Sequence, residues 1–162
     1  MTKVLFTEKF GGVYEHSRWV AEATWDAGLT TAEDTADGLA HAMSAAMAKA
    51  SESAKRALIQ AHPDLAGRLA RAKQLTREST HEQAGAGLGD LSADELARFT
   101  QLNAAYRARF DFPFVMAVKG KTKAEISEAF ERRLAHDAAT EFATALLEID
   151  RIAALRLKEI LP

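Results

Sequence analysis

The scarcity of proline is the feature that most constrains how this chain can fold. Proline occurs at only three of the 162 positions, 63, 113 and 162, so long stretches lack the residue that breaks helices. Apolar residues recur there at helical spacing, and no pair of alternating segments is joined by a hairpin turn. The sequence therefore predicts an all-α protein, an irregular bundle of about seven to eight helices in a single domain over residues 1–162.

Local signals predict where these helices begin and end. Ser or Thr followed three residues later by an acidic residue marks a helix start. We interpret four such pairs as helix starts: Thr31 with Asp34, Ser79 with Glu82, Ser92 with Glu95, and Thr122 with Glu125. Further helices are predicted after Ser17, over 51–61, from Pro63 or Asp64 to about Lys73, and over 140–161. The helix over 51–61 must end near His62, because Pro63 disfavours helical geometry in the residue before it.

One short apolar run, Phe114 to Val118, is ambiguous. It follows the break at Asp111 to Pro113 and closes at Gly120. A run of this length fits a buried extended segment or a helical turn, and periodicity does not separate the two.

Composition excludes several classes of function. A net charge of −2 provides no electrostatic reason for binding nucleic acid or an anionic membrane. The absence of cysteine removes disulfides, thiolate nucleophiles and sulfur-ligated metal sites. No apolar run approaches the roughly 18–20 residues that span a bilayer, and residues 1–10 lack the apolar core of a signal peptide. The expected location is cytoplasmic.

Common catalytic signatures are absent. The chain has no phosphate-binding glycine loop, no dinucleotide fingerprint and no nucleophile elbow. His81-Glu82 begins like a zinc-protease motif, but Gly85 stands where the second histidine would be. The histidine spacings therefore predict no metal site.

His62 stands out because it lies at the forced break between two helices. Catalytic groups are often displayed at such junctions, and imidazole exchanges protons near neutral pH. The alternatives are a surface histidine or a ring that hydrogen-bonds a helix end, and the local context by itself favours them.

Two further positions have both a structural and a functional interpretation. Glu82 fits the reciprocal partner of a Ser79 cap, although a helix start lined by Ser79, Glu82 and Gln83 could also bind a polar ligand. Spacing favours the cap. Arg133 follows Ile126 and Phe130 on an apolar stripe, so it requires an internal ion pair, a snorkelling stem or a ligand carboxylate.

Asn103 and Tyr106 also fall on the buried stripe of their helix. Buried polar groups need hydrogen-bond partners. Both residues are interpreted as structural.

Five ordered blocks together resemble a known family. They are Gly11-Gly12-Val13-Tyr14-Glu15-His16-Ser17 with Trp19; His62-Pro63-Asp64-Leu65; Ser79-x-x-Glu82-Gln83 with Ala86-Gly87-Leu88; Leu102-Asn103-x-x-Tyr106-x-x-x-Phe110-x-Phe112-Pro113-Phe114; and Arg133-Leu134 with Glu148-Ile149-x-x-Ile152-x-x-Leu155-Arg156-Leu157. In order and spacing these blocks resemble the 2-oxo-4-hydroxy-4-carboxy-5-ureidoimidazoline (OHCU) decarboxylases of urate breakdown. The likeness covers nearly the whole chain.

The resemblance implies a carboxy-lyase of purine catabolism. Such an enzyme would be all-helical, usually a homodimer, and would need no metal or organic cofactor. Its partner would be a small-molecule substrate, OHCU, from which it removes carbon dioxide to yield S-allantoin. Two alternatives stay open: a non-catalytic helical binding module, and a lyase or hydrolase acting on a related ureido ring compound.

The resemblance also implies roles for particular residues. His62 corresponds to the catalytic histidine and Glu82 to an active-site carboxylate. The implied substrate-binding positions are Pro63, Ser79, Thr80, His81, Glu82, Gln83, Phe114, Val115, Met116, Ala117, Val118 and Arg133. Two positions depart from the family pattern: Lys119 stands where many relatives carry Arg, and His136 where many carry Asn.

Overall fold

The computed structural model describes residues 1–65 and 91–161. Within those ranges the chain forms seven α-helices and one 3₁₀ helix and contains no strand, which confirms the predicted all-α class. The α-helices are α1 (Lys3–Phe10), α2 (Trp19–Asp26), α3 (Ala36–Ala48), α4 (Glu52–Ala61), α5 (Ala93–Phe110), α6 (Lys123–Leu134) and α7 (Ala138–Ile160), and the 3₁₀ helix is Thr31–Asp34. Two predictions fall wholly or partly in residues 66–90, outside the described residues. They are the helix from Pro63 or Asp64 to Lys73, which extends into that range, and the cap at Ser79 and Glu82, which lies within it.

The chain divides into two compact units. One comprises Met1–His62 with Leu146–Pro162, and the other comprises Pro63–Ala145. Helix α7 contributes residues to both units. The extent of a single domain over residues 1–162 stays a prediction.

Three predicted helix starts are confirmed by their caps. The Ser51 side chain accepts a hydrogen bond from the Ala54 N–H, at the start of α4. Ser92 and Thr122 each form a full capping box, in which the glutamate three residues on accepts a hydrogen bond from the backbone N–H of the cap. These contacts satisfy N–H groups that have no partner within the helix.

The start predicted at Thr31 is wrong by one residue. The capping box uses the preceding pair, Thr30 with Glu33, and opens the short 3₁₀ helix. Thr35 then adopts an extended conformation and caps α3 with its own side chain. Thr30 and Thr31 are each followed three residues later by an acidic residue, so the sequence allows a capping box at either threonine. The structure has it at Thr30.

Helix α1 is absent from the sequence-based prediction. Its Phe6 and Phe10 are buried, with ring centroids 4.9 Å apart, and Phe6 packs on Trp25 of α2 at 5.4 Å. Packing against a second helix stabilises this short helix, because eight residues make a marginal helix in isolation.

A partly buried polar contact of the first unit joins the loop between α1 and α2 to α3 and α7. The Tyr14 hydroxyl donates to Asp150 Oδ1 at 2.5 Å, and the Ser44 hydroxyl donates to Oδ2 at 2.7 Å. Burial, together with the Asp150 carboxylate, raises the pKa of Tyr14 far above its usual value, so Tyr14 stays the donor.

Helix α5 ends as its sequence predicts. Asp111 adopts a left-handed conformation, φ +59°, and its N–H donates to the Arg107 carbonyl. Phe114 to Val118 then runs as irregular backbone, neither helix nor strand, with Phe114 and Val115 buried. Gly120, at φ +76°, turns the chain toward α6.

No helix among residues 1–65 and 91–161 combines the length and the apolar character needed to cross a membrane.

Candidate active site

His62 lies where Pro63 forces α4 to end. Its backbone is extended, with φ −71° and ψ 136°, and its side chain is buried, with the residue only 3% exposed. Its Nδ1 lies 3.1 Å from the Leu58 carbonyl oxygen. A carbonyl oxygen only accepts, so Nδ1 carries the proton and Nε2 is the nitrogen that can take up or return one. The surface-histidine alternative is wrong, whereas the bond to a helix end is present at Nδ1.

Glu15 supplies a negative charge within electrostatic range of His62. Partial burial opposes its ionisation, but Arg156 donates to it at 2.8 Å, and electrostatic interaction with the His62 and His16 side chains also favours the charged carboxylate. Together these groups lower the pKa of Glu15 below its usual value. Glu15 belongs to the first of the five family blocks but was not among the predicted site residues. The feature of the sequence that could have pointed to Glu15 is that it is the one carboxylate in that block.

One pocket brings together residues far apart in the sequence. The lining residues Pro63 and Leu65 follow the end of α4. The others, Phe114, Val115 and Met116, belong to the irregular segment after α5. Asp64 lies 3.8 Å from Arg107 of α5, a half-exposed ion pair beside this junction. Four of the five lining residues are predicted substrate-binding positions, while Leu65 was not predicted. Ala117 and Val118 continue the segment but do not line the pocket.

Arg133 is buried and paired. Its Nε donates to Glu141 Oε1 at 2.7 Å, and its Nη1 donates to the Val115 carbonyl at 2.7 Å. Nη2 lies 2.6 Å from the same Glu141 oxygen, but without the alignment of a hydrogen bond. The guanidinium carbon also lies 4.2 Å from the centre of the Phe114 ring, a cation–π contact. Of the structural alternatives, the internal ion pair is present. The snorkelling stem is wrong, because the charged head is buried.

Glu141 is the acceptor at the centre of this cluster. It is fully buried, and besides Arg133 it accepts hydrogen bonds from the Tyr106 hydroxyl and, at 2.9 Å, from His136 Nδ1. Burial and the bond to Glu141 raise the pKa of Tyr106 far above its usual value, so Tyr106 remains a donor. Glu141 was not among the predicted site residues, although a buried arginine on an apolar stripe signals that a buried carboxylate is needed.

The two polar residues interpreted as structural have different outcomes. Tyr106 has its buried partner, as expected. Asn103 is buried too, but its Oδ1 lacks a hydrogen-bond partner among the described residues.

The remaining predicted site residues lie outside the described residues. They are Ser79, Thr80, His81, Glu82 and Gln83. Within residues 1–65 and 91–161, no group of three or more His, Asp or Glu side chains is arranged to hold a metal ion.

Comparisons with known proteins extend over almost the whole chain. Residues 1–158 match the family model described as OHCU decarboxylase. The 2-oxo-4-hydroxy-4-carboxy-5-ureidoimidazoline decarboxylase of Haloferax volcanii is 45% identical over 154 residues, which are 95% of this chain and 88% of the relative. The corresponding protein of Halalkalicoccus jeotgali is 42% identical over 158 residues, covering 98% of this chain and 86% of the relative.

A solved structure shows the same architecture. The crystal structure of (S)-allantoin synthase superposes with a TM-score of 0.77 at 33% identity, covering 99% of this chain. This chain spans about half of that protein, 51% of its length. The match over residues 1–158 and the identity to two relatives, each covered over more than four fifths of its length, establish that the chain belongs to the OHCU decarboxylase family.

Proposed function

We propose that this chain decarboxylates OHCU to S-allantoin in urate degradation, with His62 as the acid/base group. Membership of the family supports the reaction, because relatives at 42% and 45% identity carry its name. The observation that carries the role of His62 is its geometry. A buried imidazole whose Nδ1–H is held by the Leu58 carbonyl presents one defined nitrogen, Nε2, for proton exchange.

The reaction suits a site built from side chains and backbone alone. Breaking the bond to the carboxylate leaves an electron pair that delocalises into the adjacent C=N of the substrate ring. The protein must then orient the carboxylate, exclude water and deliver a proton to one face. His62 would polarise the substrate hydroxyl and manage the proton, with Glu82 sharing that role.

Substrate binding is proposed along the pocket and the neighbouring family segment. Pro63 and the backbone of 114–118 would meet the ring, while Ser79, Thr80, His81, Glu82 and Gln83 would hold the ureido and ring N–H groups. Support comes from the pocket, in which Pro63 and Phe114 to Met116 are already together. Arg133 would meet the departing carboxylate or a nearby oxygen, and its bond to the Val115 carbonyl also lets it act on the pocket wall.

The His62→Asn variant tests the proposal directly. Positioned acid–base groups contribute about 10²–10⁴-fold, so turnover should fall by at least about a hundredfold while the helical fold survives. Freshly generated OHCU is supplied, and the optical activity of the allantoin is followed by circular dichroism. His41→Asn, which changes an exposed histidine on α3, is the matched control and should keep full activity. A nearly fully active His62→Asn enzyme would remove His62 from the mechanism.

The same assay separates the alternative functions. Racemic allantoin formed at the unaccelerated rate by the unaltered protein would overturn the enzyme proposal and favour a binding module. A panel of ureidoimidazolines distinguishes a lyase or hydrolase acting on a related ring, because that enzyme would turn over another member faster than OHCU.

We also propose that the chain is a cytoplasmic homodimer. The resemblance to the family supports the assembly, and the lack of cysteine fits a reducing compartment. Cell fractionation tests the location, and sedimentation tests the assembly.

A further inference from the structure

We propose that Glu141 is a positioning residue for the substrate pocket and acts through Arg133 on the backbone of Val115. This inference rests on the proposed function, because it gives the pocket wall at 114–116 a role in holding OHCU. Glu141 does not line the pocket and is fully buried. Any effect it has on the substrate must therefore pass through other residues.

Arg133 contacts the pocket wall directly. Its Nη1 holds the carbonyl of Val115, and its guanidinium faces the ring of Phe114. Phe114 in turn stacks on Phe130 of α6, with ring centroids 3.6 Å apart. One side chain thus restrains two consecutive lining residues. The restraint matters because this segment belongs to no helix or strand.

Glu141 determines where the Arg133 guanidinium can lie. A buried cation needs a counter-charge, and Glu141 provides it through Nε at 2.7 Å. The carboxylate is itself held by the Tyr106 hydroxyl on α5 and by His136 Nδ1 at 2.9 Å. The Tyr106 hydroxyl and His136 Nδ1 therefore hold the carboxylate in place, and the carboxylate sets the direction from which Arg133 reaches Val115.

This arrangement makes a different prediction from direct binding of the substrate by Arg133. If Arg133 gripped the substrate carboxylate, neutralising Glu141 would free the guanidinium and tighten binding. If Arg133 positions the wall, neutralising Glu141 loosens the wall and weakens binding. The sign of the change in affinity separates the two roles.

The experiment is Glu141→Gln, with steady-state kinetics on OHCU and calorimetric binding of allantoin. The loss of one positioned charge-assisted contact should raise KM and the allantoin Kd by about tenfold, while kcat changes by less than about threefold. Arg133→Lys should produce a similar rise, and the double variant should add little, because both act through one contact. The ¹³C shift of the Val115 carbonyl should move in both single variants.

Glu148→Gln is the matched control. Glu148 is a buried glutamate on the same helix, paired with Arg151 at 2.5 Å. It belongs to the other unit and has no contact with Arg133 among the hydrogen bonds and ion pairs described. Its substitution should leave KM unchanged.

Unchanged or lowered KM in a folded Glu141→Gln protein would overturn the inference, as would a fall in kcat alone. If Glu141→Gln does not fold, Tyr106→Phe decides, because it removes one donor to Glu141 and keeps the ring. A raised KM with kcat retained supports the inference, and an unchanged KM overturns it. If the unaltered protein does not turn over OHCU, the proposed function fails, and the Val115 shift still tests the positioning role.

Discussion

At the scale of single residues, the carboxylates near His62 and Arg133 differ in how their charges are balanced. Glu15 is half-buried and paired with Arg156, so water screens much of its interaction. Glu141 is fully buried, and its charge is balanced by Arg133 and by two further hydrogen bonds. The first arrangement can respond to pH in solution. The arrangement around Glu141 is rigid, because removing any of its hydrogen-bond partners leaves a buried polar group unsatisfied.

The lowered pKa of Glu15 predicts a contribution to stability that depends on pH. Its pKa is lower in the folded state than in the unfolded chain, so below its usual value near 4.5 the unfolded chain binds more protons. The contribution is therefore fully present above that pH and is lost as the pH falls through the folded pKa. Glu15→Gln should flatten this part of the acid side of a Tm-against-pH curve.

Thermal unfolding between pH 3 and pH 7 measures this effect. Glu8→Gln, a change of an exposed glutamate on α1 of the same unit, serves as the comparison and should keep the original slope. A Glu15→Gln curve that parallels the unaltered protein throughout would show that the ion pair with Arg156 does not stabilise the fold.

At the scale of elements, helix starts were the most predictable features. A capping box requires only residues three apart, so Ser92 with Glu95 and Thr122 with Glu125 were readable from the sequence. The ambiguity at Thr30 and Thr31 shows the limit of such signals. Where two registers are locally equivalent, the surrounding packing selects one, and the unpredicted α1 packs its Phe6 on Trp25 of α2.

Thr122→Ala tests how much one cap stabilises the fold. Its side chain accepts from the Glu125 N–H at 3.2 Å, and losing such a cap typically costs about 1 kcal/mol. The free energy of unfolding should fall by that amount in urea titrations.

Thr100→Ala is the comparison for this cap. Thr100 is an exposed threonine within α5 whose hydroxyl donates to the Leu96 carbonyl, and its loss should change stability by less than about 0.5 kcal/mol. Equal effects of the two substitutions would contradict a specific role for the cap.

At the scale of the whole molecule, the exposed apolar side chains bear on assembly. The large exposed hydrophobic residues among the described positions all belong to the first unit: Met1, Val4, Leu5, Leu147 and Ile160. Exposed apolar area of this kind fits a surface that a second copy would cover.

Leu147→Glu therefore tests the proposed homodimer. Leu147 is 51% exposed on α7, and a charge there would have to be desolvated in an apolar interface. The expected result is a shift from dimer to monomer in sedimentation velocity. Ala45→Glu adds the same charge at an exposed position of α3 and should leave the assembly unchanged. A protein that is monomeric without any substitution would contradict the homodimer.

The sequence by itself determined the features that depend on near neighbours. The helical class follows from the rarity of proline, and the end of α4 at His62 follows from Pro63. The buried position of Arg133 follows from the period of its helix. Each depends on residues within about two helical turns, where backbone geometry fixes the distances.

Only the tertiary structure decided which distant residues meet. Pro63 shares a pocket with Phe114 to Met116, and Glu141 gathers Tyr106, Arg133 and His136 on one carboxylate. Several residues on each helix have the chemistry to make such contacts, and periodicity assigns them a face but no partner. The choice of partner depends on how the helices pack, because a buried charge is tolerated only where the packing places a counter-charge against it.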